Sequence, residues 1–210
     1  TGNTQGYIAS SGSWRIWSWD NGNKIGGAIW DDEGNADTFT NIVVGSDQWV
    51  HVTLEFIDGT ATLTAHDATG SLIDSTSLML PGQNLKAWTG RYDVGSKNSG
   101  GSNFFKGKID DFHISVPGVS LPELLKPQED TYKTSHLWNM DSTTTLSDGK
   151  VIVFDQDDNF TRNNKHLTMY DGDTANGYGA TLVSSKAGFG NAIQFDGIND
   201  YATSFTTVSG

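Results

Sequence analysis

Apolar and polar residues alternate along most of this chain, and turn-forming residues interrupt the alternation at short intervals. A period of two places successive side chains on opposite faces of a strand. The pattern predicts strands over residues 7–10, 14–19, 24–30, 38–44, 49–57, 60–67, 71–80, 91–95 and 108–116. Two junctions carry strong hairpin signals: Asn21-Gly22, between residues 14–19 and 24–30, and Asp58-Gly59. Both dipeptides suit the positive φ angles of tight β-turns. Helical periodicity is confined to residues 121–126, between Pro117 and Pro127. Further strands are expected over 135–140, 150–155, 166–170, 180–184, 192–196 and 201–208. Many short strands and almost no helix predict an all-β fold, an antiparallel β-sandwich.

Three of the four prolines and the charged run Gln128-Glu129-Asp130 fall between residues 117 and 133. This composition marks a boundary. We expect one unit over residues 1–117, a linker with a short helix over 118–134, and a second unit over 135–210.

Charge narrows the function classes. The 210 residues carry 13 basic and 25 acidic side chains, a formal net charge of −12. Binding a nucleic-acid backbone requires clustered Lys and Arg, so nucleic acid is not an expected partner. An anionic membrane surface is disfavoured for the same reason. No apolar stretch approaches membrane-spanning length, so membrane insertion is not expected. Glu occurs only at positions 33, 55, 123 and 129, and the remaining acids are Asp, a turn former and a short-armed ligand for hard cations. The absence of cysteine excludes disulfides, thiolate metal sites and a cysteine nucleophile. The chain opens on TGNTQG and reads as a mature or excised portion of something longer.

Four blocks carry a family resemblance. Gln48-Trp49-Val50-His51-Val52-Thr53-Leu54, followed by Asp58-Gly59, resembles the W-x-H-V hairpin of laminin G-like jelly rolls. Phe105-Lys106-Gly107-Lys108-Ile109-Asp110-Asp111-Phe112-His113-Ile114 resembles their closing strand. Leu137-Trp138-Asn139-Met140-Asp141 resembles the opening strand of the same fold. The stretch from Gly188-Phe189-Gly190 through Phe195-Asp196-Gly197-Ile198-Asn199-Asp200-Tyr201 is similar to the early F-D-G-x-x-D-Y strand pair. The resemblance implies a concanavalin A-like jelly roll, extracellular or on a cell surface. Its halves stand in swapped order: residues 1–117 match the C-terminal half of a module and 135–210 the N-terminal half. Either the halves complete each other within one chain, or each completes a neighbouring copy. The second arrangement would build a filament or a tandem-repeat surface protein, with copies of the chain as partners.

Two kinds of site are expected. Exposed Trp and Tyr faces stack on sugar rings, and Trp17, Trp19, Trp30 and Trp88 are the carbohydrate-binding candidates. Alternation puts Trp17 and Trp19 on one strand face and Trp14 on the other. By the resemblance, Trp49 and Trp138 occupy core positions, and His51 and His113 are structural. The second site is structural Ca²⁺, held by Asp110, Asp196, Asn199 and Asp200. Asp110 enters through the resemblance, and the other three share one acidic turn. A further acidic cluster at Asp155, Asp157, Asp158 and Asn159 reads as a solvated loop. Asn159-Phe160-Thr161 is an N-glycosylation sequon, with Asn159 as the acceptor. Jelly-roll glycosidases need two carboxylates in an E-x-D-x-x-E strand pattern, which is absent. The sequence thus predicts a non-catalytic extracellular module binding glycans or copies of itself, with a polysaccharide-degrading enzyme a distant alternative.

Overall fold

In the computed structural model, the described residues are 5–19, 22–86, 92–97, 102–115, 134–138, 140–141, 143–145, 151–154, 167–170 and 180–204. They form an all-β, antiparallel sandwich. The first part contributes β1 (Gly6–Ser10), β2 (Trp14–Trp19), β3 (Lys24–Trp30), β4 (Ala36–Thr38), β5 (Ile42–Val43) and β6 (Val50–Ile57). It continues with β7 (Thr60–Asp67), β8 (Leu72–Met79), β9 (Asp93–Val94), β10 (Lys106–Ile109) and β11 (Phe112–Ser115). The second part contributes β12 (Thr134–Trp138), β13 (Thr143–Thr145), β14 (Val151–Val153) and β15 (Leu167–Tyr170). It ends with β16 (Thr181–Ser184), β17 (Asn191–Asp196) and β18 (Tyr201–Ser204).

One layer is a ten-stranded sheet in the order β13-β14-β15-β18-β9-β1-β2-β3-β4, with β5 also pairing β3. Three smaller sheets, β6-β7-β8, β11-β12 and β10-β17-β16, lie opposite it. The predicted hairpins form as expected. Trp14 pairs with Ile29 and Trp19 with Lys24. The β6–β7 turn places Asp58 at φ 48° and Gly59 at φ 76°, a pair of left-handed residues that Asp-Gly supplies at low cost. Along β7, Ala61, Leu63 and Ala65 are buried while Thr60, Thr62 and Thr64 alternate outward.

Two apolar clusters fill the space between the layers. One is built from residues 25–80 alone, around Ile29, Phe39, Ile42, Phe56 and Leu63. The other joins Val94 and Ile109 to Trp138, Met140, Leu167, Ile193, Phe195 and Ala202, and so draws on both parts of the chain. Ile8 touches both clusters. Three strand pairings join the parts: β9 with β18, β10 with β17 and β11 with β12. These pairings join the two parts of the chain into one sandwich.

The structure redraws several predicted strands. Residues 38–44 do not form one strand: β4 and β5 are separated by Phe39, which turns into the core at 3 % exposure. The closing strand is broken into β10 and β11 at Asp110-Asp111, where Asp111 adopts φ 48°. Strand β13 is a Thr run without apolar alternation. The predicted linker and helix, Trp88, the 155–159 cluster and the Asn159 sequon lie outside the described residues.

Lys108 and Gln194 face each other across β10 and β17, and both are exposed. Cα atoms of opposed antiparallel residues lie about 4.5–5.5 Å apart, within disulfide reach. In this cysteine-free chain, Lys108→Cys with Gln194→Cys is expected to give an intrachain crosslink, seen as a monomer on a non-reducing gel. Crosslinked dimers or ladders in its place would mean that the halves pair between chains.

Candidate functional site

The outward face of β1, β2 and β3 carries the densest aromatic group that points away from the two main cores. In-register rows put Tyr7 beside Trp17 and Trp17 beside Gly26. A bulge at Ile8 in β1 lets Tyr7 face outward while Ala9 turns in. Tyr7, Trp17 and Ala28 form a small buried cluster, with half-buried Trp19 and Trp30 packed against it. The Tyr7 and Trp17 rings meet edge to face, centroids 5.9 Å apart. Arg15, two residues from Trp17 and on the same side of β2, lays its guanidinium 4.8 Å above the Trp30 ring. Lys97 places its ammonium 5.7 Å from the Tyr7 ring. Both are cation–π geometries.

The structure thus puts Trp17 at the centre of the face, with Trp19 and Trp30 packed against its cluster from opposite ends of the strands. Trp14 points the other way, against Tyr92 and Phe112. Trp138 is fully buried, and Trp49 is half-buried. Trp17 is only 7 % exposed, and its Nε1 donor is buried without an acceptor. Gly26 leaves the space it needs: a Cβ there would sit 2.6 Å from Trp17 Nε1 and collide with Asn41 Oδ1. The residues that sequence reading missed are Tyr7, Arg15 and Lys97. Strand alternation carried the signal for Arg15. Nothing local marked Lys97, which reaches Tyr7 from the segment after β9.

The loop following Trp30 is pinned by Asp31, which is fully buried. Its Oδ1 accepts the Asn35 N–H at 2.7 Å, and its Oδ2 accepts the Gly82 N–H at 2.7 Å and the Asn35 side-chain amide at 2.9 Å. Burial works to raise the Asp31 pKa, but bonds from the Asn35 side chain and the Gly82, Asn35 and Glu33 backbone outweigh it and hold it low. Lys86 N–H bonds the Trp30 carbonyl at 3.0 Å, so the end of β3 is fixed from two directions.

The predicted calcium ligands do not converge. Lys106 pairs with Asp196, whereas Asp110 follows Ile109 at the far end of β10, opposite Ile193. In the turn, Asp196 Oδ1 accepts the N–H groups of Ile198 at 2.7 Å and Asn199 at 3.3 Å. Asp200 Oδ2 accepts the Asp196 N–H at 3.0 Å. These carboxylates cap backbone in the manner of Asx turns. Asp110 instead gathers with Asp111 and Asp141. It accepts the Ser185 hydroxyl and, at 2.8 Å, the Asp111 N–H. Asp141 Oδ1 accepts the Asn191 N–H at 2.7 Å. Among the described residues, no group of three or more His, Asp or Glu is arranged to hold a metal ion. Burial raises the Asp110 pKa, and the Asp141 charge adds to it. Burial, then Asp110 and Asp141, push Asp111 up to about 6.

Histidines that look scattered in sequence also meet. His51 and His66 are opposed on β6 and β7, ring centroids 6.3 Å apart. Burial lowers the His51 pKa, and the neighbouring His66 and His113 charges lower it further. Comparison with protein-family models, with curated proteins and with solved structures gives no match.

Two pH predictions follow from these shifts. A carboxyl raised above its ordinary 3.8 costs stability once the unfolded chain ionises. Asp111→Asn should therefore stabilise the protein at pH 7, with the gain fading as pH falls from about 6 toward 3.8. One pKa unit corresponds to ~1.4 kcal/mol, and solvent screening at this exposed side chain reduces the gain to about 1 kcal/mol. Urea unfolding at several pH values measures it. A lowered histidine has the opposite sign, and wild-type protein should lose stability as pH falls below 6.5. His51→Gln should lose less over the same range; an identical slope would show that His51 is not the titrating group.

Proposed function

We propose that this chain is a non-catalytic carbohydrate-binding or adhesion module of the laminin G-like, concanavalin A-like jelly-roll class, working outside the cell. The observation that carries the reading is the outward ring group of Tyr7, Trp17, Trp19 and Trp30. Rigid aromatic faces bury the C–H face of a sugar at low entropic cost, and rings fixed on adjacent strands are pre-organised for it. The outer rim rings Trp19 and Trp30 keep part of their surface in solvent, as a stacking platform needs. Glycoside hydrolysis requires two carboxylates flanking the bond. The crowded pair Asp110 and Asp111 belongs to the β10–β11 junction, in the opposite layer of the sandwich. That placement supports binding rather than cleavage.

The alternative, a subunit of a filament built by exchanging halves, draws on the three strand pairings between the two parts. Their closure within one chain weighs against it.

Trp19→Ala and Trp30→Ala should each weaken binding to a recognised polysaccharide about tenfold, a loss of about 1.4 kcal/mol, with the melting temperature little changed. Affinity electrophoresis against a polysaccharide panel, with thermal melts in parallel, provides the measurement. Undiminished retention of both variants would remove the aromatic face from the binding site.

A further inference from the structure

We propose that the aromatic face takes an acidic polysaccharide, with Arg15 and Lys97 meeting its anionic groups on either side of the rings. The inference rests on the carbohydrate reading and adds the chemical class of the glycan.

The chain carries a net charge of −12, so a polyanion gains nothing from its overall field. Any affinity for one must come from local positive charge. The aromatic face supplies it. Arg15 lies over Trp30 at 4.8 Å, and Lys97 lies by Tyr7 at 5.7 Å. Neither cation has a carboxylate partner among the described residues. Among the described residues, two half-buried cations that touch rings and no carboxylate are charges available to a ligand. Resting against rings also fixes them, so little ordering is required when an anion arrives.

Their placement suits an extended ligand. Tyr7 lies in the row of Trp17 and Gly26, and Trp30 lies four residues beyond Gly26 on β3, so the rings that carry the cations are about two strand spacings apart laterally and about four residues apart along the strands, roughly 16 Å in all. Trp17 lies on the strand between them, and Trp19 extends the row of rings beyond Trp17, opposite Lys24. Trp17 Nε1 adds a buried N–H with no acceptor, beside the Asn41 carboxamide over Gly26. A buried donor without a partner is costly, and a ligand oxygen that replaces the Asn41 carboxamide would satisfy it. Rings for the sugar faces, cations for the acid groups and a donor between them form one continuous surface across three strands.

The test uses the full chain in affinity electrophoresis and calorimetry with polygalacturonate, dextran sulfate and neutral dextran. Retention by at least one acidic polymer and weaker retention by neutral dextran is expected. Arg15→Gln with Lys97→Gln should lower that affinity tenfold or more, Arg15→Lys should retain most of it, and Trp19→Ala should lower it as well. Binding of polygalacturonate alone assigns carboxylates, binding of dextran sulfate alone assigns sulfates, and binding of both supports the shared anionic chemistry. Equal affinity of the double variant, or equal affinity for neutral dextran, overturns the acidic class while leaving the carbohydrate reading intact. Loss in the double variant with none in Trp19→Ala means general polyelectrolyte attraction, and also overturns it. Failure to bind any of the polymers, followed by failure across a neutral and acidic glycan array, removes both readings.

Discussion

The two residues of β9 hold the molecule together. Val94 is fully buried and pairs with Ala9 on one side and Ala202 on the other, while Asp93 pairs with Ser10 and Thr203. Among the described residues, this short strand is where the ten-stranded sheet passes from the first part of the chain to the second. The seam is reinforced on both flanks. Ser204 N–H bonds the Tyr92 carbonyl at 3.0 Å, and Gly95 N–H bonds the Ile8 carbonyl at 2.9 Å. Gly95 sits at φ 82° against the Phe195 ring, where a Cβ would come within 2.9 Å of Cζ. A side chain there would be strained in conformation and would displace the ring that fills the second core. Non-local pairing of this kind must overcome a large loop-closure entropy before it stabilises anything. The burial of both cores against one continuous sheet supplies the compensation.

That continuity explains how one strand serves both core and surface. On β2, Trp14 and Ile16 face inward and Arg15, Trp17 and Trp19 face outward. The inward side extends into a chain of rings. Trp14 stacks near Tyr92 at 6.3 Å, Phe112 lies 6.4 Å from Trp14, and Phe112 stacks on Trp138 at 5.3 Å. Tyr92 and Phe112 come from the first part and Trp138 from the second, so these contacts also cross between the parts. The outward rings are thereby mounted on a strand whose other face is locked into the core. A platform held in this way keeps its rings in place without a ligand.

Sequence legibility followed the range of the physics involved. Local signals were sufficient for the β2–β3 and β6–β7 hairpins, because short Gly-containing turn sequences and a period of two specify them without help from elsewhere. They were also sufficient to put Trp17 and Trp19 on one face. They failed where tertiary packing overrode local pattern, as at Phe39, whose burial splits a single predicted strand in two. They failed again for Asp110 and Asp196, which neighbouring family motifs suggest as one ligand set. Antiparallel pairing of β10 with β17 sends the two to opposite ends. The meeting of His51 with His66 and the contact of Lys97 with Tyr7 depend on strand register and loop path, which one sequence does not encode legibly.

The unexpected clusters matter most together. Burial of the Asp111 carboxyl, with the Asp110 and Asp141 charges beside it, makes the folded state hold a proton that the unfolded chain releases, so stability falls as pH rises from 3.8 to about 6. Burial of His51 beside His66 and His113 makes the folded state resist a proton that the unfolded chain accepts, so stability falls as pH drops below 6.5. The two slopes have opposite signs across overlapping windows. Only below this range do the low-lying carboxylates Asp31 and Asp67, held down by their hydrogen bonds, begin to be protonated at the expense of the turns they organise. Asp31 pins the loop behind Trp30, so acid that protonates it would loosen the edge of the aromatic face.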